Sequence, residues 1–448
     1  MKNVMNSIWN LMKLSAFIFP LSVFVSCSQE EFLPQETTTL QFVVSDFPMF
    51  GEGIQTRVIG TQDEGKTAWE NDDQIIVTLI SKKYGEQAVA LTYDGSSWST
   101  EASLSYLENE TPTITAVYAP DCEIKEGQIA LQDGKQYGEA EYILARTTIS
   151  ENSLDINFES GRTYSRLRIA GLANQTLTVT TTDFTPAGAT EVATDAYTLT
   201  TDNNGNAFLY GVFAEDATVS VKQGDITLKD YTFTAEKNPN GTAHNKSYAL
   251  DATPVIDGTL GGKAEATAAE VETLVQQLKD YVDNGITTII VPGSKSAIIE
   301  VDGIVLPAVS EAIYRLSKDE SYNGKIDLIL PDVTEIFDQE FHSARALNSI
   351  TLPKVTNLAD QAFYGTLYLR TITFGSVITE VNELGAIFNQ VGYNVGGCDL
   401  ILNCGQMNES NVPAPDLTNN IWKFKFENEF KSITLTHTGE CDECKANQ

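Results

Sequence analysis

The chain has 448 residues, 42% hydrophobic and 9% aromatic, enough to bury several cores and to exclude a globally disordered protein. Its formal charge of −32 repels phosphate and no Lys/Arg cluster offsets it, which excludes a nucleic-acid partner. Thr, Ser, Val, Ile, Tyr and Gly recur throughout, a usage that favours strands and turns over helical bundles.

Residues 1–26 read as a secretion signal. Lys2 and Lys13 supply positive charge before an apolar run over residues 14–25 that is too short for a comfortable membrane span. The run ends in Phe24-Val25-Ser26-Cys27, which resembles a lipobox, whose cysteine is acylated and becomes the new N-terminus. The resemblance implies a membrane anchor at Cys27, with each buried acyl methylene adding about 0.8 kcal/mol. Ser28-Gln29-Glu30-Glu31, within a tether of residues 27–36, resembles the acidic tag that sends lipoproteins to the outer surface of anaerobes with two membranes. The expected location is the outer membrane, lipid-anchored and facing outward.

From residue 37 to 252 the text reads as β. Strands are expected over residues 39–44, 73–79, 113–118 and 165–169, separated by turn signals such as Tyr93-Asp94-Gly95-Ser96 and Asn203-Asn204-Gly205. The length suits two sandwiches, placed at 37–148 and 149–252. Thr56-Arg57, Trp69-Glu70-Asn71-Asp72-Asp73, Tyr93-Asp94-Gly95 and Ala116-Val117-Tyr118-Ala119-Pro120 together resemble fimbrillin-type lipoproteins; Arg166-Leu167-Arg168-Ile169 and Ser247-Tyr248-Ala249-Leu250 continue the likeness. The resemblance implies two fimbrillin-type β-sandwiches. It also implies fimbrial subunits as partners, joined by strand donation, with Arg57 where a trypsin-like protease cuts some members.

Residues 253–264 read as a linker. A helix follows, with Val271, Leu274, Val275, Leu278 and Val282 on one face, a Thr267/Glu270 capping box and Gly285 at its end; a second is expected over residues 308–317. The chain then matches itself at a 22-residue step. Leu328-Ile329-Leu330-Pro331-Asp332-Val333-Thr334 aligns with Ile350-Thr351-Leu352-Pro353-Lys354-Val355-Thr356, and Asp338-Gln339-Glu340-Phe341 with Asp360-Gln361-Ala362-Phe363. Ile372-Thr373-Phe374 continues the register, while Leu400-Ile401-Leu402 and Ile433-Thr434-Leu435 follow at irregular spacing. One such unit is too small to bury its apolar surface alone, so stacked coils are expected over residues 265–440, with a tail at 441–448. The text resembles BspA-like leucine-rich repeats, which implies a solenoid and a role in adhesion. The fold class expected is mainly β: two sandwiches, then a leucine-rich-repeat solenoid with a few flanking helices.

Alternation places Leu328, Leu330, Ile350, Leu352, Ile372 and Phe374 inward, with Phe341 and Phe363 filling the far side of the coil. Ile290, Asp327, Ile329, Ser349, Thr351, Thr371, Thr373, Ile401 and Thr434 then face outward on the concave side. They form either a plain solvated strand face or a docking surface for a protein or glycan.

No catalytic signature is found. Gly-x-Ser-x-Gly, Ser-x-x-Lys, His-Glu-x-x-His and phosphate-binding glycine loops are absent, and only three histidines occur, at 244, 342 and 437. The expectation is a non-enzyme without cofactor. His437-x-x-x-Cys441-x-x-Cys444 comes nearest to a metal site, but it lacks a fourth ligand, so no metal is expected. The close pairs Cys398/Cys404 and Cys441/Cys444 can each form a disulfide in an oxidising compartment.

Overall fold

The computed structural model describes residues 40–50, 65–107, 110–150, 152–159, 161–192, 196–236, 241–381, 387–407 and 430–436. The chain is mainly β, with two α-helices among the described residues, and its buried side chains gather into three large cores. No helix among the described residues is long and apolar enough to cross a membrane.

The first core lies under strands β1 (Gln41–Val44), β2 (Gln74–Ser81), β3 (Gly85–Tyr93), β4 (Trp98–Ser99), β5 (Thr113–Tyr118), β6 (Cys122–Lys125), β7 (Gln128–Leu131), β8 (Ile143–Leu144), β9 (Arg146–Ser150) and β10 (Ser153–Asn157). One sheet has the order β4-β3-β2-β5-β8; the other is β1-β10-β9, with β1 parallel to β10. Ile75, Val77 and Leu79 alternate along β2, so period two puts all three into the core that also takes Leu154 and Ile156 of β10. Trp69 meets Phe47, Trp98, Tyr118 and Phe158 edge to face, and its indole N–H donates to the Ser45 carbonyl at 2.8 Å. The boundary expected at 148/149 falls inside the β9–β10 hairpin. The reason is packing: Leu154, Ile156 and Phe158 fill the first core, so the chain leaves this module only at about residue 164.

The second core is enclosed by β11 (Ser165–Ala170), β12 (Thr176–Thr181), β13 (Phe184–Pro186), β14 (Tyr197–Thr200), β15 (Asn206–Phe213), β16 (Thr218–Gln223), β17 (Ile226–Thr232) and β18 (Ser247–Asp251). Its sheets run β13-β15-β11-β18 and β14-β12-β16-β17, with β11 and β18 parallel. Leu167 and Ile169 from the first sheet meet Val179, Val219 and Val221 from the second. Arg162, just before β11, is buried. It donates from Nε and Nη2 to Glu141 at 3.0 and 2.8 Å and from Nη1 to the Pro48 carbonyl, and its guanidinium lies 3.9 Å from the Phe50 ring centroid.

The third core begins where a linker was expected. Residues 253–264 are partly structured: Val255 bridges Ile290 in parallel, Ile256 is fully buried, and Asp257 accepts from the Thr259 and Gly261 amides. The Pro/Gly-rich text marks the turns correctly, but Val-Ile within it adds a rung to the sheet. Helix α1 (Ala268–Asp283) starts on the Thr267/Glu270 capping box and buries Val271, Leu274, Leu278 and Tyr281. After it come β19 (Thr288–Ile290), the hairpin β20 (Ile298–Val301) and β21 (Ile304–Pro307), and helix α2 (Ala308–Lys318). The coils follow: β22 (Ile326–Ile329), β23 (Glu335–Ile336), β24 (Leu347–Leu352), β25 (Asn357–Leu358), β26 (Thr371–Phe374), β27 (Glu380–Val381), β28 (Asp399–Asn403) and β29 (Ser432–Thr436).

The strands form two parallel sheets, β19-β22-β24-β26-β28-β29 and β23-β25-β27. Leu328 pairs with Ile350 and Ile350 with Ile372, one 22-residue step apart each time, and all three are buried. Across the coil interior Phe341, Phe363 and Phe388 stack near-parallel, with centroids 5.6 and 5.8 Å apart. The module is not isolated from the second: the Asp225 amide donates to Asn284 Oδ1 at 2.8 Å, and Ile226 and Leu228 pack on the third core.

Candidate functional site

The outward side of the six-stranded parallel sheet is built by the same alternation that fills the core. Buried Ile289, Leu328, Ile350, Ile372 and Leu400 alternate with partly exposed neighbours on either side of each. Parallel register aligns those neighbours into two rows. One runs Ile290, Ile329, Thr351, Thr373, Ile401, Thr434; the other runs Thr288, Asp327, Ser349, Thr371, Asp399, Ser432. Strands about 4.8 Å apart make each row roughly 24 Å long. All nine residues singled out from the sequence lie on this face. Thr288, Asp399 and Ser432 were missed, although each stands two positions before an anticipated residue on its own strand.

The first row is apolar and Thr-rich, and the second is polar and internally bonded. Ser349 Oγ and Asn348 Nδ2 both donate to Asp327 Oδ1, at 2.6 and 2.7 Å. At the far end Ser432 Oγ donates to Asp399 Oδ1 at 2.7 Å, and Lys431 Nζ to Oδ2 at 3.3 Å; those two contacts, Ser432 first, hold the Asp399 carboxyl below the usual range. Polar links between coils continue around the corner. Lys354 pairs with Asp332 at 2.7 Å and, with the Gly293 amide, lowers its pKa. Asn357 Nδ2 donates to Glu335 at 3.2 Å. Thr, Ile, Ser and Asp side chains thus stand in fixed, in-register rows across the strands.

The expected staple between Cys398 and Cys404 is absent: Cys398 is a free, buried thiol. The two cysteines flank β28, and six residues of extended chain separate them by roughly 20 Å, against about 5.5 Å between the Cα atoms of a disulfide. Burial pushes the Cys398 thiol up to about 12, with Asp399 adding to the shift. Cys27, Arg57, Cys441 and Cys444 lie outside the described residues.

No protein-family model matches the chain, and a search of curated proteins finds no match. Solved structures do. A fimbrial protein from Bacteroides ovatus is 10% identical with a TM-score of 0.24; the likeness covers 48% of this chain and 49% of that one, so this chain spans about half the length of that relative. A Bacteroides ovatus protein whose name assigns it to cell adhesion is 14% identical, TM-score 0.28, over 49% of this chain and 92% of its own. A Bacteroides fragilis protein named in the same way is 10% identical, TM-score 0.23, over 48% and 92%.

Proposed function

We propose that the chain is a cell-surface lipoprotein that recognises proteins or glycans of a host or of other bacteria through the outward face of its repeat module. In this reading Cys27 carries the lipid anchor in the outer membrane, two fimbrillin-type sandwiches serve as a stalk, and the C-terminal module is a BspA-like leucine-rich-repeat solenoid. The observation that carries it is the pair of in-register rows across six parallel strands, which gives an extended ligand a straight, repeating set of contacts. The test is binding of the full mature chain to arrays of immobilised matrix proteins and glycans, beside a Thr351→Arg/Thr373→Arg variant. The variant is expected to lose binding at least tenfold while keeping its circular dichroism; no binding by the parent across a broad array sinks the reading.

A second reading is a structural, anchor or tip component of fimbriae. Its support is β1, a four-residue strand held parallel against β10, a short pairing of the kind a neighbouring subunit's strand could replace. It predicts protein ladders on unheated denaturing gels, and their absence at high concentration counts against it.

A further inference from the structure

A cavity of about 580 Å³ lies where the first coil meets the start of α2 and the loops around residues 259–264 and 294–298. That volume falls among small-molecule sites, roughly 300–1,000 Å³. Its walls are largely apolar, with Val291, Val309, Leu328, Leu330 and the partly exposed Phe337 among them.

Two carboxylates line this space, an exposed one, Glu335, and a buried one, Glu340. Glu340 is buried, accepting from Ser310 Oγ at 2.8 Å on Oε1 and from the Phe337 amide at 2.9 Å on Oε2. The repeat itself does not call for an acid there. The Phe341 amide bonds the Ala362 carbonyl and the Phe363 amide bonds the Ile387 carbonyl, so the next two coils fill the same place with Ala362 and Ile387, both fully buried. Burial pushes the Glu340 carboxyl up to about 7, and Glu335 adds to the rise. The other charged groups lining the cavity are Glu335, Lys263 and Lys295; Glu335 accepts from Asn357 Nδ2 at 3.2 Å, Lys263 is paired with Glu270, and among the described residues no ion pair joins Glu340. Each Glu340 oxygen takes one protein donor, whereas a carboxylate offers about four acceptor sites.

We propose that this cavity is a second binding site, for a small ligand with an apolar body and a primary amine, whose ammonium ion pairs with Glu340. A buried acid that the fold can replace with Ala or Ile, placed in an apolar space, is a departure from local packing that a cationic head resolves. The site is separate from the outward face and does not rest on the adhesion reading.

The experiment titrates the full mature chain at pH 7 with n-hexylamine, n-hexanol and hexanoate by calorimetry. Hexylamine is expected to bind on the order of tenfold more tightly than hexanol, through the charge-assisted bond, and hexanoate to bind weakest. Glu340→Gln and Glu340→Ala should bring the amine-to-alcohol ratio to about one. Ala is tolerated in the equivalent place of the next coil, which keeps at least one variant folded. Equal binding of amine and alcohol by the parent, no amine binding at millimolar concentration, or an unchanged ratio in the folded variants overturns the proposal.

Discussion

Phe363→Ala tests whether the repeat module holds together through its ring stack. Phe363 is fully buried between Phe341 at 5.6 Å and Phe388 at 5.8 Å, so truncation opens a cavity and removes two aromatic contacts at once. Large-to-small substitution of a buried Phe costs about 3–5 kcal/mol, and the position of Phe363 inside the stack points to the upper half of that range. At about 1.4 kcal/mol per tenfold, local opening of the coils rises by roughly 10³-fold or a few times more. Because the chain carries three large cores, a single melting curve blurs this effect; hydrogen exchange read by mass spectrometry resolves it. Peptides covering β22, β24 and β26 are expected to lose protection, while those covering β2 and β11 keep theirs. Unchanged exchange in the coils, or equal loss in all three modules, would refute the reasoning.

Three further outcomes follow from buried polar groups. Glu141→Leu alone leaves the buried Arg162 guanidinium without its carboxylate and should cost about 3–5 kcal/mol in denaturant melts, whereas Glu141→Leu/Arg162→Met should recover most of that loss. Glu340 has a folded pKa of about 7 against an ordinary 4.5, so the unfolded chain ionises first. Its contribution to stability should therefore fall between pH 4.5 and 7, by on the order of 3 kcal/mol, and the stability difference between the parent and Glu340→Gln should show that slope. Cys398, with its thiol raised to about 12 and no solvent exposure, should resist iodoacetamide at pH 8 until denaturant is added; prompt labelling of the native chain refutes its burial.

Local patterns in this chain report elements well and packing partners poorly. Period-two text located β2, β5 and β11, and the 22-residue step located β22, β24 and β26 and their buried residues, because both signals arise from the strand itself. The capping box at Thr267 marked the start of α1 for the same reason. The module boundary was misplaced because the β9–β10 hairpin belongs to whichever core its Leu154 and Ile156 find, and no local residue states that choice. Phe388 was hidden by a coil longer than its predecessors, yet it completes the ring stack. On the candidate face, irregular spacing concealed that Asp399 and Ser432 extend the row of Asp327 and Ser349. The Glu340 cavity depends on loops and a helix more than twenty residues away in sequence, and nothing beside Glu340 announces it.

The links from coil to coil, Lys354 to Asp332, Ser349 to Asp327 and Asn357 to Glu335, all span 22 residues. The 22-residue step therefore sets which side chains meet across this junction. Removing residues 345–366 would join like to like and draw everything downstream closer by one strand spacing, about 4.8 Å. A tandem duplication of the matching stretch of gene would lengthen the array by the same increment. Reach is in this way a heritable quantity that changes in whole steps, without redesign of either end.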